Sequence, residues 1–345
     1  MENIRAWTEE DEAIIATNTD ASECKRGAVE LGYWRDDYVQ YFSRRADRRA
    51  PEINRGYFAR VRAIEILVHQ FLERCGSKCQ IISLGCGYDT LYWRLRDSTR
   101  AVGNYVELDF PTVTAKKCQI IKRNKALMEK ITNEDGEVVI RSGDLHADNY
   151  HLVGCDLRCV AEVRRKLSSA GALGGAGAAG AGAAGEGRGE ALPTLVLAEC
   201  VLVYLRPEPA AALLAALCAA LPTSMVIVYE QCNLDDKFGE VMVRNLESRG
   251  CLLAGAAGAR GGPGAAAARL RAAGWARAAA WDMRAVWAAL PAAERARADR
   301  LEPLDEHELL QQLHAHYALG VAARGALLAD LELDDPAALL SGPAS

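Results

Sequence analysis

Five short apolar runs, each followed by a helix-sized interval, constrain this chain more than anything else in it. They are CQIISL (79–84), NYVELD (104–109), YHLVGCD (150–156), TLVLAE (194–199) and SMVIVYE (224–230). Each is brief, continuous rather than alternating, and rich in Val, Ile and Leu, the pattern of a strand buried on both faces. The intervals are long enough for helical crossovers, so a doubly wound, mostly parallel α/β sheet is predicted. In such a sheet ligands bind in the crevice beyond the carboxyl ends of the strands. The residues that end each run therefore carry the functional information.

The first run climbs into ISLGCGYDT (82–90). Gly85 and Gly87 stand where the strand turns into a helix, permitting a positive φ and letting a ligand lie against bare backbone. A dinucleotide loop adds a third glycine so that a pyrophosphate can approach the helix N-terminus. Here Thr90 holds that position and Asp89 precedes it, which disfavours a diphosphate and tolerates a cationic, phosphate-free nucleoside such as S-adenosylmethionine. The other run ends agree. Asp109 is placed to accept from both ribose hydroxyls, Asp156 from an adenine amino group beside the apolar wall of Leu157, and Glu199 lies at the amino-acid end. Any one of these carboxylates could be a helix cap, but together above a Gly-x-Gly loop they converge on one crevice and read as a methyltransferase.

The rest of the chain sets limits. It has 345 residues and a net charge of -5, which argues against nucleic acid or anionic membrane as a partner. The N-terminus MENIRAWTEEDEAII has no basic stretch leading into an apolar one, and no apolar run is long enough to span a bilayer. Eleven cysteines are scattered, several inside apolar runs, so a reducing compartment is expected, cytoplasmic or nuclear, with no metal site. Neither Cys75/Cys79 nor Cys155/Cys159 has zinc-knuckle spacing, and His314 and His316 read as helix-surface or satisfied core residues. The first seventy residues read as mainly helical and carry Arg44, Arg45, Arg48, Arg49, Arg55, Arg60 and Arg62, either a solvated face or an attractor for an acidic tail. KKCQIIKRNK (116–125) reads as the polar face of a helix. The Gly/Ala-rich tracts 168–193 and 252–274 are expected as a surface loop and a frayed Ala-rich helix. An amphipathic helix within 300–319 leads to a late apolar strand.

Eight segments carry a family resemblance: SECKRGAVELGYW (22–34), APEINRGYFARV (50–61), LGCGYDTLYWRL (84–95), VELDFPTVTAKK (106–117), GCDLR (154–158), LAECVLVYLRPE (197–208), YEQCNLDDKFGEVMVRNL (229–246) and LDEHELLQQL (304–313). From about Ala21 to Tyr317 the chain resembles the leucine carboxyl methyltransferases. The resemblance implies a class I S-adenosylmethionine-dependent methyltransferase, with a helical lid over residues 1–77 and a Rossmann-like core over 78–345. It implies a monomer that methyl-esterifies the C-terminal leucine of the protein phosphatase 2A catalytic subunit, regulating holoenzyme assembly. Lys25 and Arg60 are then cofactor-binding, beside Gly85, Gly87, Asp109, Asp156, Leu157 and Glu199. Cys86 replaces an alanine of the family pattern. A carboxylate needs no general base to become nucleophilic, so no catalytic triad is expected, and Arg60 and Tyr204 are the substrate-positioning candidates, Tyr204 reading equally as a helix-packing aromatic. The related enzymes acting on a modified guanosine of transfer RNA carry a repeat-rich second half, and this chain shows no such repeats. A methyltransferase for small carboxylic acids and a non-catalytic cofactor-binding module remain as alternatives.

Overall fold

The structure, a computed structural model, describes residues 8–341 except 46, 99, 101, 133–135, 142 and 174–190. The five apolar runs form β1 (Gln80–Leu84), β2 (Asn104–Asp109), β5 (Tyr150–Gly154), β6 (Thr194–Glu199) and β7 (Ser224–Gln231). The described strands are completed by β3 (Val139–Arg141), β4 (Asp144–His146), β8 (Arg277–Asp282) and β9 (Tyr317–Arg324). One sheet results, in the order β3-β4-β5-β2-β1-β6-β7-β9-β8. The pairs β5–β2, β2–β1, β1–β6 and β6–β7 are parallel, while β4 and β9 run against the rest. The winding reverses at β1, between β2 and β6, which opens a crevice over the carboxyl end of β1.

Alternate residues of the central strands feed separate apolar cores. Ile81, Leu195, Leu197, Met225 and Ile227 face one side, and Ile82, Leu84, Val196, Val226 and Val228 the other. The helices are α1 (Glu9–Glu30), α2 (Val39–Phe42), α3 (Pro51–Cys75), α4 (Leu91–Asp97), α5 (Pro111–Arg123), α6 (Lys125–Ile131), α7 (Val160–Ser169), α8 (Pro207–Ala220) and α9 (Lys237–Glu247), followed by shorter ones and by His307–Ala315. Helix α3 starts with proline at its first position and stops at Gly76, whose φ of 63° caps the end. Its Phe58, Ile64, Leu67, Val68 and Phe71 share the first core with the sheet, so the N-terminal helices and the strands are not separately packed. Helices α7 and α8 cover the opposite face with Val163, Leu167, Leu213, Leu214 and Leu217.

Some local expectations change. The second Gly/Ala tract forms two short helices, Ala256–Ala259 and Gly264–Ala272. The latter lies so close to β9 that a Cβ at Gly320 would stand 3.5 Å from Ala266 Cβ, so its small residues are packing surface rather than frayed ends. The surface loop expected for the first tract lies, from 174 to 190, outside the described residues. The basic run 116–125 is not a purely solvent face, because Lys117 is fully buried against Glu107. Among the described residues no helix is long and apolar enough to cross a membrane.

Candidate active site

The loop after β1 is built for close approach. Gly85 and Gly87 have φ of 59° and 48°. A Cβ at Gly85 would meet Val201 Cγ2 at 2.6 Å, and one at Gly87 would meet Asn18 Oδ1 at 2.5 Å. Asn18, on α1, also accepts from the Tyr88 N–H at 2.9 Å, which fixes the N-terminal helix directly over the loop. Asp109 ties the loop to the end of β2. Its Oδ2 accepts from Gly87 N–H and its Oδ1 from Phe110 N–H, both at 2.7 Å. Burial pushes the Asp109 carboxyl up, and these two N–H groups oppose the rise.

Asp89 is also an anchor within the site. Its Oδ1 accepts from Leu91 N–H at 2.7 Å, and its Oδ2 holds Lys25 Nζ at 3.0 Å. Lys25 reaches from α1 to Glu199 Oε1 as well, at 3.0 Å, and Arg60 Nε from α3 contacts that same oxygen. Burial works against the Glu199 charge, but Arg60 and then Lys25 outweigh it and hold the carboxyl below its ordinary range. Asp89 is lowered the same way, with Lys25 the main opponent of burial. The Arg60 guanidinium lies over the Tyr229 ring at 4.7 Å and the Tyr57 ring at 5.4 Å, a cationic side chain walled by aromatics. Cys200, just beyond Glu199, has a φ of 56° and donates its N–H to Tyr229 O at 2.6 Å. A left-handed, non-glycine residue at this point stores strain beside the site.

At the other end of the crevice, Asp156 is engaged by its neighbour. Arg158 Nε donates to Asp156 Oδ1 at 2.8 Å and to Oδ2 at 3.0 Å, while its Nη1 reaches Asp11 Oδ1 at 2.7 Å. Asp11 is also the capping-box residue of α1 with Thr8, so Arg158 fastens the start of that helix to the end of β5.

Lys25, Arg60, Gly85, Gly87, Asp109, Asp156, Leu157, Glu199 and Tyr204 all line one cavity of about 860 Å³. Tyr204 is on the 3-10 turn Leu202–Tyr204 that follows β6. Arg55 is not part of it. It is 1% exposed and donates to Glu302 O at 2.7 Å, a structural role. His316 is a satisfied core residue, its Nε2 2.8 Å from Asp236 Oδ1. His314 is buried on the cavity wall with neither ring nitrogen hydrogen-bonded. Among the described residues no cluster of His, Cys, Asp and Glu could hold a metal. Sequence reasoning missed Asn18 and Tyr229, whose partners lie far away in the chain, and Arg158, whose second partner, Asp11, does. It named both Asp89 and Lys25 but not the ion pair between them.

The model of the family described as leucine carboxyl methyltransferase matches residues 13–176. Leucine carboxyl methyltransferase 1 of Rattus norvegicus is 40% identical over 319 residues, which cover 92% of this chain and 91% of that protein. The chain belongs to the leucine carboxyl methyltransferase family. It is a methyltransferase by that membership. The leucine carboxyl methyltransferase 1 homolog of Arabidopsis thaliana is 38% identical, with 91% of this chain and 90% of that protein covered. The human tRNA wybutosine-synthesizing protein 4 is 37% identical, but the match covers only 44% of its length. Among solved structures, geranyl diphosphate C-methyltransferase of Streptomyces coelicolor, in complex with S-adenosyl-L-homocysteine, aligns with a TM-score of 0.45 and 10% identity, covering 93% of this chain and 99% of that one.

Proposed function

We propose that this methyltransferase uses S-adenosyl-L-methionine to esterify the α-carboxylate of the C-terminal leucine of the protein phosphatase 2A catalytic subunit. The observation that carries the reading is the balanced array Asp89–Lys25–Glu199–Arg60 beside the Gly85–Gly87 loop. The site fits this cofactor. Gly87 leaves no room for a Cβ, and each Asp109 oxygen accepts one N–H and keeps a lone pair for a ribose hydroxyl. Asp156 and Leu157 would take the adenine, and Glu199, Lys25 and Arg60 the amino-acid end. When bound, the cofactor supplies a methyl group already activated on a sulfonium.

The chain's own residues then have little acid–base work. A peptide α-carboxyl has a pKa of about 3.3–3.7 and is ionised at neutral pH. Positioning and exclusion of water are what remain. Arg60 orients the carboxylate, and because Glu199 already balances its charge it does not quench the nucleophile by full ion pairing. Burial keeps the Tyr204 phenol protonated far above neutrality, so its hydroxyl is available as a donor. Tyr57 and Tyr229 wall Arg60 from solvent.

The test is methyl transfer from labelled S-adenosylmethionine to the phosphatase catalytic subunit, with and without its terminal leucine, and to bulk transfer RNA. Base-labile label that requires the leucine is the expected result. Cofactor binding with no leucine-dependent transfer would overturn the reading.

A further inference from the structure

The cavity is lined almost entirely by buried and half-buried residues. Among its described lining residues only Ala16, Asp20, Asn245 and Arg249 are exposed. Two belong to α1, one to α9, and one to the turn after α9, so the mouth lies between these two helices. Asp20 Oδ2 and Arg249 Nη1 bridge it at 3.1 Å, with side chains 57% and 68% exposed. Beside the bridge the turn after α9 packs closely against α1, a Cβ at Gly250 standing 3.5 Å from Ala13 Cβ. Helix α9 buries only Gly239, although its Met242 and Leu246 line the cavity and Val241 stands 45% exposed on the turn before Asn245.

The other lining cations are committed elsewhere. Lys25 is held by two carboxylates, Arg60 by Glu199, and Arg158 by Asp11 and Asp156. Arg49 is 3.6 Å from Glu23 and only 38% exposed. Arg249 is the most exposed of them, and its carboxylate partner among the described residues, Asp20, is itself exposed, an ion pair that contributes little and exchanges readily. The chain carries a net charge of -5. A carboxylate approaching it therefore needs a local cation at the entrance.

We propose that the lip between α1 and α9 is the entrance for the carboxylate-bearing chain end of the substrate, and that Arg249 captures that carboxylate by exchanging it for Asp20. The proposal rests on the reading of the substrate as a protein C-terminus. Val241, beside the entrance, offers an apolar contact to the residues that precede the carboxylate.

Three variants separate capture from bracing: Arg249→Gln, Asp20→Asn, and the swap Asp20→Arg/Arg249→Asp. kcat and KM for the phosphatase substrate are measured at low and high salt, alongside cofactor affinity. Capture predicts that Arg249→Gln raises KM about tenfold at low salt and much less at high salt. It predicts the opposite sign for Asp20→Asn, which frees the arginine, and no rescue by the swap. Cofactor affinity stays at the wild-type value throughout. If Arg249→Gln and Asp20→Asn move KM in the same direction and the swap restores it, the pair is a brace and the proposal falls. An unchanged KM in all three places the entrance elsewhere. If the wild-type protein transfers only to small carboxylic acids, the protein-substrate reading fails by itself, and the same sign pattern read on such an acid decides the role of Arg249.

Discussion

Lys117→Met tests how the cofactor loop is supported. Lys117 Nζ lies 2.6 Å from Glu107 Oε2, both side chains being fully buried, and donates to the Asp89 carbonyl at 2.9 Å. Tyr150 OH donates to the same Glu107 oxygen at 2.7 Å. Burial pushes the Glu107 carboxyl up, and Lys117 is the main force holding it ionised. Without the lysine, Glu107 folds only in its protonated form. Starting from its ordinary value of 4.5, that costs about 3.4 kcal/mol at pH 7 and about 0.7 kcal/mol at pH 5. The folded state of the variant then holds a proton that the unfolded state has released, so its stability falls as pH rises, by about 1.4 kcal/mol per unit over this range. Urea unfolding of wild type and variant at both pH values reads the difference directly. The double variant Glu107→Gln/Lys117→Met removes both charges and recovers most of the loss at pH 7. Cofactor affinity stays reduced in both, because neither holds the Asp89 carbonyl. A single variant as stable as wild type at pH 7, or a penalty independent of pH, refutes the reasoning.

Asp109→Ala removes the acceptor of the Gly87 and Phe110 N–H groups and lowers cofactor affinity by at least about tenfold by calorimetry; unchanged affinity would remove it from the site. Gly87→Ala forces a Cβ into Asn18 at a positive φ and loses cofactor binding more than it loses thermal stability; the reverse order in calorimetry and melting would count against the cradle. Arg60→Ala abolishes turnover while circular dichroism shows the fold retained, and measurable turnover excludes it as a positioning group. Burial holds His314 down near 4, below its ordinary 6.5, so the unfolded state binds the extra proton between these values. Stability therefore falls as pH drops from 6.5 toward 4, and His314→Leu removes about 1.4 kcal/mol per pH unit of that slope; an unaltered slope would place the proton elsewhere.

The strand-end carboxylates were legible because each terminates an apolar run, and a doubly wound sheet brings such ends together whatever the intervening sequence. Lys25 and Arg60 carried no such signal and entered through family resemblance alone. Lys117 misled because a helix rich in Lys and Arg has the periodicity of a solvent face. Its partner Glu107 is a buried strand residue that periodicity cannot pair with it. Strand β8, RAAAWD, is half alanine and announces neither strand nor helix. It forms because β9 presents an open edge. Arg158 stands next to the Asp156 that was singled out, but its second partner, Asp11, is 147 residues away on α1. Such long-range ion pairs are fixed by tertiary packing and leave no local trace.

The charge arrangement itself explains why this loop would select a sulfonium nucleoside over a dinucleotide. Lys25 and Arg60 converge on one oxygen of Glu199, and Lys25 also holds Asp89, so two cations face two carboxylates in a buried, balanced group. A ligand end bearing one carboxylate and one ammonium enters such a group by exchanging partners. The carboxylate would take a share of Arg60, the ammonium a share of Glu199, and no net charge would be added to the interior. A diphosphate brings uncompensated negative charge to a site where Asp89 stands at the helix start and Asp109 at the next strand end. Burying that charge without a matching cation is strongly unfavourable. The missing third glycine and the acidic residue beside it therefore act in the same direction: one denies the pyrophosphate its close approach, the other its charge.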